Sequence, residues 1–432
     1  MSSPQGHKLG GSLVASLGPR PHASVEAMTV HVDFPVFDAD NHYYEAEDAF
    51  IRHVPKDMRK RCMQWATIDG KKRLLVGGAV NRFIPNPTWD PIARPGSLQA
   101  YFRGKNQDGV DVKAMFGTLD PLVMRPEYQD RVARLKVMAE QGIEGALFFP
   151  TLGVGMQQSL LHDRPAMVAA FSGFNRWLEE DWGFAYQDKI FAAPMLTLTD
   201  VDAAVAEVNW CVEHGARMMC MVPGPVPTEH GSISPAWPIF DPVWKRIEEA
   251  GIVIGFHGGD SGTSAFLGQW QPTGEMEAFK ATTFGVVTSH NRTIYDTMAA
   301  LVCHGLFDRF PGLRVASIET GGMYVPPLIE ELEMTYRKMP HAFRRDPVKS
   351  LQEHVWLSPY YEDNIGQIRD LMGVDHVLFG SDYPFTNPAA SFEGMRNINR
   401  FCAGTALPRV SEQAIEEIIH RDAIQLLWGG EP

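Results

Sequence analysis

Short apolar runs of strand length recur along this chain, and segments with the length and pattern of helices separate most of them. Eight such runs follow one another between residues 36 and 382. Hydrophobicity that is continuous rather than alternating is typical of parallel strands buried on both faces, so the pattern predicts a parallel sheet covered by helices. Eight units in one chain favour an α/β fold closed into a (β/α)8 TIM barrel, with an open doubly wound sheet as the alternative.

The predicted elements alternate regularly from about residue 127 onward. After the opening strand at 36–42, the predicted strands span residues 145–150, 190–195, 216–222, 251–257, 313–319, 355–358 and 376–382. Helices are predicted over 131–140, 163–181, 200–213 and 241–250. Because a barrel of this length often forms one domain, we expect residues 34–432 to be a single domain, preceded by a flexible tail at 1–33 that is rich in Gly, Ser, Pro and Ala.

Residues 43–126 interrupt this alternation and are predicted to form a long insertion after strand 1. Within them, residues 65–68 and 73–76 flank Asp69-Gly70, a dipeptide that suits the positive φ angles of a tight hairpin turn. The proline-rich stretch 85–95 is excluded from a central strand or a helix interior. We therefore expect the insertion to lie across one end of the barrel.

Charge and cysteine content exclude several classes of partner and compartment. The formal charge is −13, from 39 basic and 52 acidic residues, and no long basic run is present, so nucleic acid is not expected as a ligand. Five cysteines without a C-x-x-C spacing favour a reducing, cytoplasmic location over a disulfide framework. No run of 18 apolar residues exists, so no membrane association is expected.

Polar side chains follow several of the predicted strands directly. Asp40 and His42 stand two residues apart in the first strand, so both project to one face and offer half of a divalent metal site. His257, Glu319 and Asp382 follow the fifth, sixth and eighth strands. Because the active site of a barrel lies at the carboxyl ends of its strands, these five groups are expected to converge on one mouth.

Each of these side chains also has a structural explanation. His257 could be a hydrogen-bonded structural histidine, Asp382 could cap a turn, and Glu319 could cap a helix that begins near Tyr324. The coincidence of several such residues at strand ends favours the shared site over these separate explanations.

Five segments together resemble the amidohydrolase superfamily, within it the group that includes aminocarboxymuconate-semialdehyde decarboxylase and the aromatic-acid decarboxylases. The resemblance covers about residues 34–430 apart from the insertion, and the G-[ST]-D-Y-P-F pattern is its most specific signal. The segments are Phe37–His42, Ile254–Gly258, Gly305–Pro311, Glu319–Gly322 and Leu378–Phe385.

The resemblance implies a ligand set for one metal ion. It assigns Asp40 and His42 to the strand-one ligands, His257 to strand five and Asp382 to strand eight. An aspartate at position 40, where histidine is frequent in the family, makes the site harder, so we expect zinc with manganese as the alternative. The predicted fourth strand has Arg217 but no lysine for a second, carbamate-bridged metal.

Three functions remain open on this basis. The first is a hydrolase in which a metal-activated water attacks a small carbonyl substrate, with Asp382 or Glu319 accepting the proton. Glu319 stands where the decarboxylases of the group often have histidine, which argues against the second function, non-oxidative decarboxylation of a small aromatic or unsaturated acid. For that reaction His290 is the candidate acid and Arg292 the candidate partner of a substrate carboxylate. The third is a metal-free binding protein on a barrel scaffold.

The expected partners are a small-molecule substrate and a second copy of the chain. The family often forms homodimers, and the helix that ends in Tyr336–His341, together with the insertion, could bury apolar surface between two copies.

Overall fold

The computed structural model describes residues 36–84, 86–95, 119–272, 282–289, 291–360, 363–385 and 413. The predicted tail at 1–33 and the chain beyond residue 385, apart from 413, lie outside this part. The described strands are β1 (Val36–His42), β2 (Met63–Ile68), β3 (Lys71–Val76), β4 (Ala79–Val80), β5 (Ile92–Ala93), β6 (Leu119–Asp120), β7 (Ile143–Phe149), β8 (Ile190–Ala192), β9 (Met218–Met221), β10 (Val226–Thr228), β11 (Gly231–Ile233), β12 (Val253–His257), β13 (Arg314–Ile318) and β14 (Val355–Leu357).

Seven of these strands and one irregular stretch form a closed parallel ring. β1 pairs with β7 and β7 with β8, while β9, β12, β13 and β14 pair in that order. The two groups are joined on one side by a parallel bridge between Met195 and Cys220, and on the other by the stretch at 377–383. This stretch is bridged to β14 through Val377 and Leu357, and to β1 through Tyr383 and Asn41. The ring confirms the predicted α/β barrel.

Helices cover the outside of the ring in the order that the sequence predicts. Several begin at an aspartate whose carboxylate accepts a hydrogen bond from a backbone N–H in the first turn, as Asp130, Asp163 and Asp200 do. The described helices are α1 (Arg131–Glu140), α2 (Met156–Ser159), α3 (Arg164–Asp181), α4 (Val201–Glu213), α5 (Asp241–Ala250), α6 (Thr263–Leu267), α7 (Thr283–Ser289), α8 (Arg292–Cys303), α9 (Leu306–Arg309), α10 (Val325–Lys338), α11 (Pro347–His354) and α12 (Ile365–Met372). In the described part, no helix combines the length and the apolar character needed to cross a membrane.

The eighth barrel position differs from its prediction. Residues 376–382 were expected to form a regular strand, but only Val377 makes a ladder-like bridge, and a short 3-10 helix occupies Val374–His376. The backbone instead departs from strand geometry near Asp382, whose φ angle is 53°. Leu378 and Phe379 are nevertheless buried and each makes one backbone hydrogen bond to a neighbouring strand, so the apolar pattern of this segment reflects a barrel position with incomplete strand pairing.

The described parts of residues 43–126 include the predicted hairpin. β2 and β3 pair antiparallel around Asp69 and Gly70, whose φ angles are 52° and 71°. In the proline-rich stretch, the two-residue β5 pairs with β6 and no longer strand occurs among its described residues. That the whole segment is an insertion across the barrel end stays a prediction.

Candidate metal centre

Strands β1 and β12 bring an aspartate and two histidines together in the barrel. Asp40, His42 and His257 are buried, and their ligand atoms lie within 4.8 Å of one another. Oδ1 of Asp40 lies 3.6 Å from Nε2 of His42 and 3.4 Å from Nε2 of His257. The i, i+2 spacing in β1 therefore directs both side chains inward, toward the histidine at the end of β12.

Two further carboxylates approach the same two histidines. Glu319 follows β13, and Asp382 lies in the irregular stretch at 377–383. Oδ1 of Asp382 lies 3.5 Å from Nε2 of His42, and Oε2 of Glu319 lies 3.4 Å from Nε2 of His257. Both residues have positive φ angles, 48° for Glu319 and 53° for Asp382. This left-handed conformation is uncommon outside glycine, and here it occurs at the two turns that present carboxylates to the barrel mouth.

The hydrogen bonds of the two histidines leave both Nε2 atoms as bare acceptors. Nδ1 of His257 lies 2.8 Å from the carbonyl oxygen of Gly258, which can only accept, so Nδ1 carries the proton. Nδ1 of His42 lies 3.3 Å from Oγ1 of Thr151, and that hydroxyl donates its own hydrogen to the carbonyl of Tyr43. Both rings are therefore held in the tautomer that a metal site requires.

Four acceptor atoms thus face one another without a donor. Oδ1 of Asp40, Nε2 of His42, Nε2 of His257 and Oδ1 of Asp382 are all buried and lack a hydrogen-bond partner among the described residues. Ligand atoms about 2.0–2.1 Å from a tetrahedral ion lie roughly 3.3 Å apart, which agrees with the separations of 3.4–3.6 Å. Buried acceptors that face one another without donors are unfavourable, and a cation between them would satisfy all four, so the four side chains fit a divalent metal ion.

The electrostatics of the cluster are those of crowded, buried acids. Burial raises the pKa of Asp382 well above its ordinary value, and the charges of Glu319 and Asp40 raise it further. Burial likewise raises the pKa of Glu319 to about 7, although the His257 ring opposes this. Burial lowers the pKa of His42, which keeps that ring neutral. Burial also acts to lower the pKa of His257, but the negative charges of Asp40 and Glu319 beside the ring outweigh it and raise that pKa. A bound cation would lower the pKa values of the carboxyl groups.

Hydrogen bonds of Asp38 link β1 to the chain just before Asp382. Its Oδ1 accepts from the N–H groups of Asp40 (3.1 Å) and Ser381 (2.9 Å), and its Oδ2 accepts from Nδ2 of Asn41 and Oγ of Ser381. These bonds offset the effect of burial, which still raises the pKa of Asp38 to about 6. The sequence argument missed this role, although an aspartate two residues before the Asp40 ligand position was the signal for it.

Close backbone packing explains two glycines of the motifs. A Cβ at Gly380 would lie 2.6 Å from Cβ of Asp40 and 2.5 Å from Oγ of Ser358. A Cβ at Gly258 would collide with the carbonyl oxygen of Glu319. Both glycines are therefore required for the metal-facing residues to approach one another.

Aromatic rings surround the centre. Phe149 stacks on His257 with ring centroids 4.6 Å apart, and Phe385 meets the edge of His42 at 5.5 Å. Tyr44 packs between Phe385 and Trp89. These rings provide an apolar wall beside the acidic cluster, which the sequence argument did not assign to the site.

Tyr360 is another residue that the sequence argument did not place in the site. Its hydroxyl donates to the backbone carbonyl of Glu319 at 2.8 Å, which holds the strained turn after β13. The N–H of Gly322 is bound by Asp363 rather than by Glu319, so Glu319 is not the cap of the helix that begins at Val325. The carboxyl group of Glu319 is thus left to face the barrel mouth.

Of the two remaining candidate residues, only Arg292 is described by the structure, and its described contacts lie apart from those above. Arg292 opens α8, pairs with Asp296 at 3.5 Å, and places its guanidinium carbon 4.6 Å from the Phe266 ring centroid. His290 lies outside the described residues. Their roles as substrate partner and acid stay predictions.

The family model named Amidohydrolase matches residues 37–427 of this chain. The chain belongs to the amidohydrolase family. The motif segments that suggested the resemblance lie inside the matched range, and four of the five, Gly305–Pro311 being the exception, contribute side chains or backbone to the centre described above.

Several solved structures are similar in fold to this amidohydrolase-family protein. An amidohydrolase from Mycobacterium avium subsp. paratuberculosis K-10 is 38% identical, with 93% of this chain and 99% of that chain covered and a TM-score of 0.84. A 2,6-dihydroxybenzoate decarboxylase from Rhizobium is 18% identical, with coverages of 78% and 96% and a TM-score of 0.51. The IDCase of Metarhizium anisopliae is 16% identical, with coverages of 91% and 97% and a TM-score of 0.56. The last two show similarity of fold alone.

Proposed function

We propose that this amidohydrolase-family protein hydrolyses a small carbonyl compound with the help of one divalent cation. Asp40, His42, His257 and Asp382 would hold the cation, with zinc as the expected ion and manganese as the alternative. The observation that carries the proposal is the placement of Glu319, a carboxyl group beside the ligand cluster rather than within its four unpartnered atoms. When bound, such a cation polarises a carbonyl oxygen and makes a water molecule more acidic.

Glu319 is the proton acceptor in this proposal. Its Oε2 lies 3.4 Å from Nε2 of His257, and 34% of its side chain is exposed, so a substrate in the barrel mouth can reach it. A cation beside it would lower its raised pKa, which leaves the carboxylate ready to take a proton at neutral pH. Glu319 takes the proton from the attacking water and returns it to the leaving group. Asp382, with its second carboxylate oxygen, is the alternative acceptor.

The charge of the centre supports a substrate without a carboxylate. When a bound cation keeps all three ionised, Asp40, Glu319 and Asp382 together carry three negative charges, which a single divalent ion does not neutralise. Within the described ranges, no lysine or arginine forms an ion pair with any of these three residues. A neutral ester, lactone or amide is therefore favoured over a carboxylic acid.

Decarboxylation of a small aromatic or unsaturated acid is the alternative. The motif resemblance to aromatic-acid decarboxylases and the fold similarity to a 2,6-dihydroxybenzoate decarboxylase motivate it. It would require cationic groups for the acid, and His290 and Arg292 are the candidates.

A paired assay separates the two reactions and tests the metal-free alternative. The purified protein is first analysed for bound metal, then incubated with neutral esters, lactones and amides, and in parallel with hydroxybenzoates and muconate-type acids. We expect about one equivalent of metal and product from the neutral panel. Release of carbon dioxide from the acids would overturn hydrolysis, and a protein without stoichiometric metal that still binds ligands would support the metal-free scaffold.

A further inference from the structure

A buried arginine outside the metal centre contacts the chain next to two of its carboxylates. Arg134 lies in α1 and has 0% of its surface exposed. Its Nε donates to the carbonyl of Glu127 at 2.7 Å, and its Nη1 donates to Oδ1 of Asn41 at 2.5 Å. No carboxylate within the described residues forms an ion pair with it, and its Nη2 has no partner there. Burying a cation without a counter-ion costs free energy, so the hydrogen bonds of Arg134 have to offset this cost.

The bond to Asn41 is the first step of a relay to the centre. Nδ2 of Asn41 donates to Oδ2 of Asp38 at 2.9 Å, which fixes the orientation of the amide. Oδ1 of Asp38 then accepts from the backbone N–H groups of Asp40 and Ser381. The relay therefore ends on the backbone of one ligand residue, Asp40, and on the residue just before Asp382.

The guanidinium of Arg134 also packs against two aromatic rings. Its central carbon lies 5.0 Å from the ring centroid of Tyr383 and 5.2 Å from that of Phe148. Tyr383 follows Asp382, just as Asn41 follows Asp40. A single rigid, planar group thus touches the residue after each of the two metal-facing aspartates.

We infer that Arg134 is a positioning residue, which sets the separation of Asp40 and Asp382 through Asn41, Asp38 and Tyr383. The inference rests on the metal centre proposed above. Without these contacts, the strand that carries Asp40 and the turn that carries Asp382 are no longer held to the same side chain. The ligand atoms then sample wider separations, which weakens metal binding and changes the coordination geometry.

The test compares cobalt binding by the full-length wild type, R134M and the control R176M. R134M removes the donors while keeping an apolar stem of similar length. Arg176 also lies on a helix and on an aromatic ring, with its guanidinium carbon 3.8 Å from the Trp210 centroid, but its ion pair is with Glu207, away from the centre. Affinity is measured by competition with a chelator, and the visible spectrum of bound cobalt reports its coordination geometry.

We expect R134M to bind cobalt about 10–100-fold more weakly than the wild type, with an altered spectrum, and R176M to match the wild type. R134K, which keeps one donor group, should recover part of the affinity. An R134M protein with wild-type affinity and spectrum would overturn the relay. If R134M does not fold, N41S decides in the same way, because it keeps the arginine and shortens only the middle of the relay. A wild type that takes up no cobalt would instead overturn the metal centre itself.

Discussion

Oε2 of Glu319 lies 3.4 Å from Nε2 of His257, the same nitrogen that faces Oδ1 of Asp40 at 3.4 Å. One ring nitrogen therefore has a buried carboxylate on one side and a partly exposed carboxylate on the other. The buried carboxylate is suited to holding a cation and the exposed one to meeting a substrate.

Replacing Glu319 with glutamine should separate catalysis from metal binding. The amide keeps the size of the side chain but cannot accept a proton, so kcat should fall by about 10²–10⁴ while metal content and KM change little. Steady-state kinetics with a substrate from the neutral panel, together with metal analysis, measure this. Glu331→Gln, an exposed change on α10, is the matched control and should leave kcat intact. Full activity in E319Q would transfer the role of base to Asp382.

His42→Ala should remove metal and activity together, because the variant lacks one of the four convergent acceptors. Elemental analysis after gentle purification is the measurement. The control is His304→Ala, since His304 is exposed and its Nδ1 contacts Oγ of Ser234 instead of the centre. Full metal occupancy in H42A would show that His42 is not one of the ligands that hold the metal.

Asp382→Asn should change stability in opposite directions with and without metal. In the metal-free protein the substitution removes a buried carboxyl whose pKa is raised by burial and by Glu319 and Asp40, so unfolding should become about 1–2 kcal/mol less favourable. In the metal-loaded protein it removes a ligand, so the stabilisation by metal should shrink. Thermal unfolding with and without a chelator checks both signs, and Asp296→Asn on the surface of α8 should change neither. A loss of stability in both states would contradict the crowding of these acids.

Glu45 should contribute a measurable slope to the pH dependence of stability. Burial raises its pKa to about 7, despite the hydrogen bonds that its Oε1 accepts from the N–H groups of Thr151, Leu152 and Gly153. Between its ordinary pKa near 4.5 and about 7, the folded protein binds more protons than the unfolded chain, so stability falls as pH rises.

In Glu45→Gln this part of the slope should vanish, which reduces the pH dependence by up to about 1.4 kcal/mol per pH unit. Urea unfolding at several pH values from 4.5 to 7.5 measures it, independently of any constant loss of stability. An unchanged slope in E45Q would mean that folding does not raise the pKa of Glu45.

Most of the barrel was predictable because burial on both faces leaves an unmistakable apolar run. The predicted strand at 145–150 corresponds to Ile143–Phe149, and the predicted helix at 131–140 to Arg131–Glu140. The irregular backbone at the eighth barrel position was not predictable. Leu378 and Phe379 are apolar because they are buried, as the residues of a regular strand would also be. Local composition records burial there but not backbone geometry.

The site was predictable only to the extent that its residues end strands. That rule selected Asp40, His42, His257, Glu319 and Asp382, whose side chains the structure brings together. Their roles stay predictions. Asp38 and Arg134 were missed, because their importance depends on partners that are distant in sequence. The positive φ angles of Glu319 and Asp382 were also not visible in the sequence, since both residues are compatible with ordinary turns.

The hydrogen bonds between Asp38 and Ser381 join residues that are 343 positions apart. During synthesis, β1 therefore leaves the ribosome long before the segment that completes its hydrogen bonding. After β7 has paired with one edge of β1, the other edge still stays unpaired until residues 379–383 are made. Contacts of such sequence separation form slowly and leave the intermediate prone to aggregation. Retention of the proposed metal would consequently mark chains whose barrel has closed, and a shortage of folding assistance should appear first as metal-free protein.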